Sequence, residues 1–138
     1  MQFRDSPEPH SAPKVRAPAL ILLVEDDFIL RAALSEHLAA EGFRVDCCAD
    51  GREAFYRLHS PPKPHLILLD VMLPHLDGLE LRSLQKKMPI IAHVPVIAMS
   101  AYDVDPRSLE GLDLSPVFRK PLDLDRLLSR IRDLTGRA

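Results

Sequence analysis

The stretch LILLDVMLPHLDG, residues 66–78, decides the fold class of this chain. Four apolar residues end abruptly at Asp70, and the turn-forming residues Pro74, Asp77 and Gly78 follow soon after. A short run that is apolar throughout is typical of a strand buried on both faces of a parallel sheet. The stretch therefore predicts an α/β protein in which an acidic side chain stands at the end of a buried strand.

Short apolar runs occur elsewhere too, and they alternate with amphipathic segments. The further runs cover residues 19–24, 43–48, 94–99 and 117–118. Leucines at helical spacing lie between and after these runs, and Asp50 and Asp123 stand where helix N-caps are expected. Five strands joined by right-handed helical crossovers predict a doubly wound five-stranded parallel sheet of order 2-1-3-4-5, flanked by five helices.

The composition limits the chain to one ordinary domain. It has 138 residues, of which 46% are apolar and 28% charged, and its net charge is −2. This balance argues against direct nucleic-acid binding, which needs a clustered basic excess. No apolar run reaches the roughly 18 residues of a membrane span. Cys47 and Cys48 are adjacent, which suits neither a disulfide nor a zinc site, so we expect a cytoplasmic protein without membrane insertion.

The two ends of the chain differ in character. Residues 1–18 carry four prolines among polar residues and little apolar material, which predicts a disordered tail. Residues 19–138 carry the alternating pattern and are predicted to form the domain. The sequence stops directly after the last helical pattern, which leads us to expect a domain that acts without an attached output domain.

Polar residues follow the predicted strands at the point where each one ends. Glu25, Asp26 and Asp27 follow the first strand, Asp70 the third, Ser100 the fourth and Lys120 the fifth. Ligands of such sheets bind beyond the carboxyl ends of the strands, and the first and third strands are neighbours in this order, so Asp26 and Asp70 are expected to face each other. Crowded carboxylates repel unless a cation lies among them, and their oxygen ligands favour Mg²⁺.

A carboxylate beside a magnesium ion and a lysine is equipped to attack a phosphoryl group. A carboxylate in such a site can form an acyl phosphate, and Lys120 is predicted to hold a phosphoryl oxygen as a point charge. Ser100 is predicted to donate a hydrogen bond to another phosphoryl oxygen. The alternative for Ser100 is a local bond to the backbone, which small hydroxyl residues often make at strand ends.

Four stretches carry a resemblance to a known family. They are ILLVEDD (21–27), LLDVMLPHLDG (68–78), VIAMSA (96–101) and FRKP (118–121). In this order and spacing the sequence resembles the receiver domains of two-component response regulators, with the chemotaxis-type, flavodoxin-like fold. The resemblance spans nearly everything after the tail.

The resemblance assigns roles position by position. It implies that Asp70 is the phosphoacceptor and that Asp26 binds magnesium directly, Glu25 through water and Met72 through its backbone carbonyl. Asp27 lies one place too late for the metal. Ser100 and Lys120 match the hydroxyl and the lysine that contact the phosphoryl group. The resemblance further implies structural roles beside the site for Pro74, Gly78, Ala101 and Pro121, the last after a cis peptide bond.

Two departures from the family concern its conformational switch. Val117 stands where the family has an aromatic residue whose rotamer follows the hydroxyl residue, and strand alternation would point Phe118 to the opposite side. The segment from Ser100 to Lys120 is about two residues short by comparison with the family and contains two prolines and a glycine. We expect a short, irregular or mobile fourth helix there.

These observations favour a single-domain receiver that is not a turnover enzyme. It would accept a phosphoryl group on Asp70 from a sensor histidine kinase or histidine phosphotransfer protein, assist its own dephosphorylation, and act on an unknown protein target by contact or onward phosphotransfer. The first alternative is a receiver-like binding module whose output does not depend on phosphorylation. A small aspartyl phosphatase is disfavoured by Met72, where such enzymes place a second acid. A flavin-binding module is disfavoured by the acids after the first strand.

The remaining reactive residues are predicted to be structural. The six histidines show no metal-ligand spacing, which favours surface or packing roles. Cys47 and Cys48 should project to opposite faces of a strand, with core packing the favoured role.

Overall fold

The fold is a five-stranded parallel sheet between two layers of helices. The computed structural model describes residues 17–114 and 116–137. The strands are β1 (Leu20–Val24), β2 (Arg44–Cys48), β3 (Leu66–Asp70), β4 (Val96–Ser100) and β5 (Phe118–Arg119). They lie in the order β2-β1-β3-β4-β5, with every neighbouring pair parallel. The predicted fold class and strand order are therefore confirmed.

The helical layers hold four α-helices and one 3-10 helix in the described part of the chain. The helices are α1 (Phe28–Ala40), α2 (Gly51–Leu58), α3 (Gly78–Gln85) and α4 (Leu124–Thr135), and the 3-10 helix covers Pro106–Leu109. Five helices were predicted, and the short 3-10 helix replaces the fourth. Pro106 occupies the first position of that helix and Gly111 has φ +74°, so the segment has no room for a regular α-helix.

The sheet is apolar on both faces because successive strand residues alternate between two cores. On β1, Leu22 and Val24 pack with α2 and α3, whereas Ile21 and Leu23 pack with α1 and α4. β3 and β4 follow the same alternation. This double burial explains why the three strands read as continuous apolar runs.

Aspartates begin the helices. Asp50 accepts a hydrogen bond from the Glu53 amide at 2.8 Å, and Asp123 accepts one from the Arg126 amide at 3.2 Å, which confirms both predicted N-caps. Asp27 caps α1 by accepting from the amides of Ile29 and Leu30. Asp27 thus has a structural task that fits its place one position beyond the acidic pair.

A buried arginine ties α3 to the shortened crossover. The guanidinium of Arg82, only 5% exposed, donates to the Leu112 carbonyl at 2.8 Å and to Gln85 Oε1 at 2.7 Å. Gln85 in turn donates to the carbonyls of Ile91 and Val94. Burial lowers the pKa of Arg82, and the nearby Asp113 carboxylate opposes that shift. This network holds the segment before β5 against the helical layer.

Two further expectations from the sequence can be compared with the structure. Cys47 is exposed and Cys48 is buried, as strand alternation predicted, and burial raises the pKa of the Cys48 thiol to about 12.

Among the described residues, no helix is both long and apolar enough to span a membrane. The predicted disordered tail falls mainly on residues 1–16, which lie outside the described residues, so it stays a prediction.

Candidate functional site

Three carboxylates meet at the carboxyl edge of the sheet. Glu25 and Asp26 follow β1, and Asp70 ends β3, which pairs directly with β1. One oxygen from each carboxylate lies within 4.8 Å of the others. Glu25 and Asp70 are buried whereas Asp26 is exposed, so the cluster is open to solvent on one side. The strand order predicted from the sequence accounts for this meeting.

Lys120 supplies the cation of the cluster. Its Nζ lies 2.6 Å from Glu25 Oε1 and 2.7 Å from Asp70 Oδ2. The Lys120 amide also donates to the Ser100 carbonyl at 2.9 Å, which fixes the start of the lysine side chain at the end of β4. The peptide bond between Lys120 and Pro121 is cis. Residues from three distant segments therefore form one compact group.

The electrostatics of the cluster follow from this burial. Burial raises the pKa of Glu25 to about 7, although the hydrogen bond from Lys120 works against the rise. Burial alone would lower the pKa of Lys120, but its hydrogen bonds to Asp70 and Glu25 outweigh that effect and the net shift is upward. A single ammonium group therefore does not fully compensate the buried acids.

The remaining carboxylate oxygens are held by backbone amides. The Met72 amide donates to Asp70 Oδ1 at 2.7 Å, and the Asp27 amide donates to Glu25 Oε2 at 3.0 Å. Met72 is 55% exposed, and its amide contact with Asp70 places this residue beside the cluster. The metal-binding role of the Met72 carbonyl stays a prediction.

Ser100 is less closely connected to the cluster than the other predicted residues. Its side chain is fully buried at the end of β4, and its Oγ accepts a hydrogen bond from the Tyr102 amide at 3.1 Å. This is the local backbone bond that the sequence left open as an alternative. In the described part of the chain, no hydrogen bond joins the Ser100 hydroxyl to the three acids, so its phosphoryl contact stays a prediction.

The loop after Asp70 is shaped by the residues predicted to be structural. The Leu76 amide donates to the Pro74 carbonyl at 2.8 Å, and His75 between them has φ +68°. Gly78 lies so close to the cluster that a Cβ there would stand 2.5 Å from the Asp70 carbonyl oxygen. Only glycine allows α3 to begin this near the backbone of Asp70.

Two arginines at the site were not identified from the sequence. Arg31 on α1 donates to the Glu25 carbonyl at 2.8 Å and makes a longer contact of 3.4 Å to the Asp26 carbonyl. Arg119 donates to the Ala101 carbonyl at 3.0 Å and pairs with Asp103. The spacing of Arg31 from the acidic pair, one helical turn beyond the N-cap, could have suggested the first contact.

The position of the predicted switch residue also differs from the family pattern. Val117 is half-buried and packs against the core on the α2 and α3 side, whereas Phe118 packs against the opposite core. Phe118 therefore does not take the place of the missing aromatic residue. Arg119, with its bond to Ala101, is the β5 side chain that contacts the loop after Ser100.

The donor set of the cluster fits a hard divalent cation. Carboxylate oxygens from three residues lie close together, two of them buried, and one side remains open to water. Oxygen ligands with retained water are what Mg²⁺ prefers. No second group of three acidic, histidine or cysteine side chains with this spacing occurs in residues 17–114 and 116–137.

The fold and the acidic site are those of a signalling domain of the receiver type, and the chain belongs to the response regulator receiver domain family. The profile of that domain matches residues 21–132. The response regulator MprA of Mycolicibacterium vanbaalenii is 37% identical over 123 residues, which cover 87% of this chain and 52% of MprA. The probable transcriptional regulator ycf29 of Porphyra purpurea is 34% identical over 119 residues, covering 85% of this chain and 56% of that protein. The chain thus spans about half the length of the curated relatives it matches.

Solved structures agree with this membership. A response regulator receiver protein from Pseudomonas putida superposes with a TM-score of 0.78 at 26% identity, covering 86% of this chain and 99% of that one. The Francisella response regulator 1452 receiver domain gives a TM-score of 0.76 at 26% identity, covering 86% and 97%. The predicted family is therefore confirmed.

Proposed function

We propose that this domain accepts a phosphoryl group on Asp70 in a magnesium-dependent reaction. The observation that carries the proposal is the position of Lys120, whose ammonium bridges Glu25 and Asp70 beside the exposed Asp26. A phosphoryl group entering from the solvent side would meet a carboxylate nucleophile with a cation already at its edge. Membership in the receiver family supports this reading.

The chemistry follows from the contacts of Asp70. One carboxylate oxygen of Asp70 attacks phosphorus, an O–P bond forms, and the N–P bond of a donor phosphohistidine breaks as the imidazole takes up a proton. The Met72 amide and Lys120 fix the two oxygens of the carboxylate before the attack. Magnesium, held by Glu25, Asp26 and Asp70, would neutralise charge on the transferring oxygens. We expect a phosphoacceptor, which hydrolyses its own acyl phosphate, and not a turnover enzyme.

The partners follow from the same chemistry. A sensor histidine kinase or a histidine phosphotransfer protein would supply the phosphoryl group, and the domain would signal by protein contact or onward phosphotransfer. Its formal charge of −2 argues against direct nucleic-acid binding by this domain. The names of the longer relatives, such as transcriptional regulator, describe full-length proteins about twice the length of this chain.

One observation favours the alternative of phosphorylation-independent output. Val117 replaces the aromatic switch residue, and a 3-10 helix replaces the fourth helix. A protein partner that binds equally well before and after phosphorylation would support this alternative.

The direct test is covalent modification by a small phosphodonor. The protein is incubated with magnesium and acetyl phosphate, and its intact mass is measured. We expect the addition of one phosphoryl group in the wild type and none in Asp70→Asn. The matched control is Asp77→Asn, because Asp77 lies on the same loop but only caps α3. Absence of modification in the wild type would contradict the proposal.

A further inference from the structure

A cavity lies at the opposite edge of the sheet from the acidic cluster. One wall is the segment from Leu58 to Lys63, between α2 and β3, and the other is the segment from Lys87 to Ile91, between α3 and β4. Both segments precede strands, which places the cavity at the amino-terminal edge. Its volume is about 460 Å³.

The lining combines an apolar floor with a cationic rim. Leu58, Met88 and Ile91 are among its apolar residues, whereas Lys63 and Lys87 carry the only formal charges. No acidic side chain lines the cavity, and neither lysine forms an ion pair within the described ranges. Lys63 Nζ instead lies 3.2 Å from the ring nitrogen Nε2 of His93. The rim is therefore positive in a domain whose formal net charge is negative.

Both walls are tied by hydrogen bonds to side chains of the helices that directly precede them. Arg57 donates to the carbonyls of Ser60 and Pro62, each at 2.9 Å, while its guanidinium pairs with Asp46 on β2. The opposite wall is held by the buried Gln85, which donates to the Ile91 carbonyl at 2.9 Å. These hydrogen bonds hold both walls of the cavity through the protein's own groups, and ordering of the walls before binding lowers the entropy cost of binding.

We propose that this cavity binds an amphipathic organic anion, with its apolar body on the floor and its anionic head between Lys63 and Lys87. The volume lies in the range of small-molecule sites, which are concave, largely apolar and marked by a few convergent polar groups. Two uncompensated ammonium groups select a carboxylate or phosphate head, because lysine binds such groups as a point charge. The head and the apolar body are both required.

The cavity and the acidic cluster can each bind a ligand independently of the other. Strands of five residues span about 17 Å, and the cavity and the acidic cluster lie at opposite ends of them. Binding in the cavity therefore needs no change at Asp70. This inference does not rest on the proposed phosphoacceptor function.

Methionine methyl groups provide a direct readout of each site. Met88 lines the cavity, Met72 stands beside the acidic cluster, and Met99 is fully buried in the core. With ¹³C-methyl methionine, titration with octanoate should shift the Met88 signal saturably, at a dissociation constant of about 1 mM, and leave Met72 and Met99 in place. Magnesium should shift Met72 and leave Met88 in place.

Three probes separate the head from the body. Octanoate has both the anionic head and the apolar body, 1-octanol has the apolar body without a charge, and acetate has the anionic head without a long apolar body. We expect 1-octanol to bind at least about fivefold more weakly than octanoate, and acetate to leave Met88 unshifted. Octyl phosphate then tells whether a dianionic head is preferred to a carboxylate. Equal binding of octanoate and 1-octanol would contradict the role given to the lysines.

Matched variants locate the binding. Lys63→Gln with Lys87→Gln should weaken octanoate at least about fivefold and leave 1-octanol binding unchanged. Lys86→Gln is the control, because Lys86 is an exposed neighbour outside the cavity lining. Ser60→Trp, at an exposed position of the wall, should fill the cavity and abolish both shifts. Thermal unfolding of each variant shows whether it is folded.

Three further results would overturn the proposal. The first is no saturable Met88 shift with octanoate up to about 10 mM. The second is a Met88 signal that moves with protein concentration alone, accompanied by a larger mass in light scattering, because a second copy of the chain would then cover the cavity. The third is that a protein partner, and not octanoate, binds this face of the domain and that the double lysine variant loses this binding. The cavity would then serve a protein partner instead of a small anion.

Discussion

The guanidinium of Arg119 donates a hydrogen bond of 3.0 Å to the carbonyl oxygen of Ala101, the residue directly after Ser100. The same side chain pairs with Asp103 two residues further on. β5 thus contacts the loop after β4 through an arginine at its end, while Val117 is turned toward the core.

The first prediction concerns this contact. Arg119→Met should increase the mobility of residues 101–105 and reduce the protection of their amides against hydrogen exchange. The free energy of unfolding should change by no more than about 1 kcal/mol, because both Arg119 and Asp103 are exposed. Amide relaxation and exchange by NMR measure the effect. Arg107→Met is the control, since Arg107 pairs only with Asp105 in the neighbouring 3-10 turn. Equal mobility in both variants would argue against the contact.

The second prediction concerns Lys120, whose ammonium group pairs with two carboxylates of the acidic cluster. Lys120→Met leaves the buried Glu25 and Asp70 without a counter-charge, which should lower the free energy of unfolding by about 3 kcal/mol in metal-free buffer. Magnesium should restore more stability in this variant than in the wild type, because the ion replaces the lost cation. Denaturant unfolding with and without magnesium measures both quantities.

The matched variant for this experiment is Lys63→Met. Lys63 is an exposed lysine whose contact is to His93 and not to a carboxylate. Its unfolding should respond to magnesium as the wild type does. A Lys120→Met protein as stable as the wild type in metal-free buffer would show that the two ion pairs contribute nothing net.

The third prediction is a pH dependence that originates in Glu25. Burial raises its pKa from 4.5 to about 7 in the folded protein, so between these pH values the folded state binds more protons than the unfolded state. The stability supplied by the protonated form is therefore present below pH 4.5 and lost as pH rises toward 7. The loss from this group amounts to at most about 3 kcal/mol. Unfolding of the metal-free protein across this range measures it.

Glu25→Gln isolates the contribution of this carboxyl group. The variant should lose the falling slope, so the difference in unfolding free energy between variant and wild type should grow with pH and level off above 7. Magnesium binding to the wild type should release protons near pH 6.5 because Glu25 must ionise, and calorimetry in buffers of different ionisation enthalpy detects them. A pH-independent difference between the two proteins would refute the assignment.

The fourth prediction concerns Gly78. Gly78→Ala would place a Cβ 2.5 Å from the Asp70 carbonyl oxygen and 2.6 Å from the Val71 Cα, and backbone cannot yield as a flexible side chain would. We expect a loss of about 2 kcal/mol in unfolding free energy and slower modification of Asp70 by acetyl phosphate. Gly111→Ala is the comparison, because it has open space around it and a cost that arises only from φ +74°. Gly111→Ala should leave the modification rate unchanged.

Much of the fold was predictable because the parallel sheet imposes a simple pattern. Strands such as β1 and β3 are buried on both faces, so their sequences are apolar throughout and end sharply at a polar residue. The same regularity brought Glu25, Asp26 and Asp70 together, since the carboxyl ends of neighbouring parallel strands share one edge.

The contacts of long side chains were not predictable in this way. Arg82 and Arg119 reach the carbonyl oxygens of Leu112 and Ala101, which lie 30 and 18 residues away in sequence, and no local pattern announces such contacts. From the sequence, the Ser100 hydroxyl could contact either a phosphoryl group or the local backbone. The course of the loop after β4 brings the Tyr102 amide to it. Five helices were predicted, and the fourth was expected to be short or irregular because two prolines and a glycine lie between Ser100 and Lys120; a 3-10 helix forms there instead of an α-helix.

The two-residue strand β5 gives the acidic cluster two kinds of support. Glu25, Asp26 and Asp70 lie at the ends of β1 and β3, which are interior strands paired on both sides. Lys120, in contrast, directly follows the edge strand β5, which pairs with β4 at two positions. We therefore expect substitutions in this edge strand to reposition the lysine ammonium while the carboxylates on the interior strands keep their places.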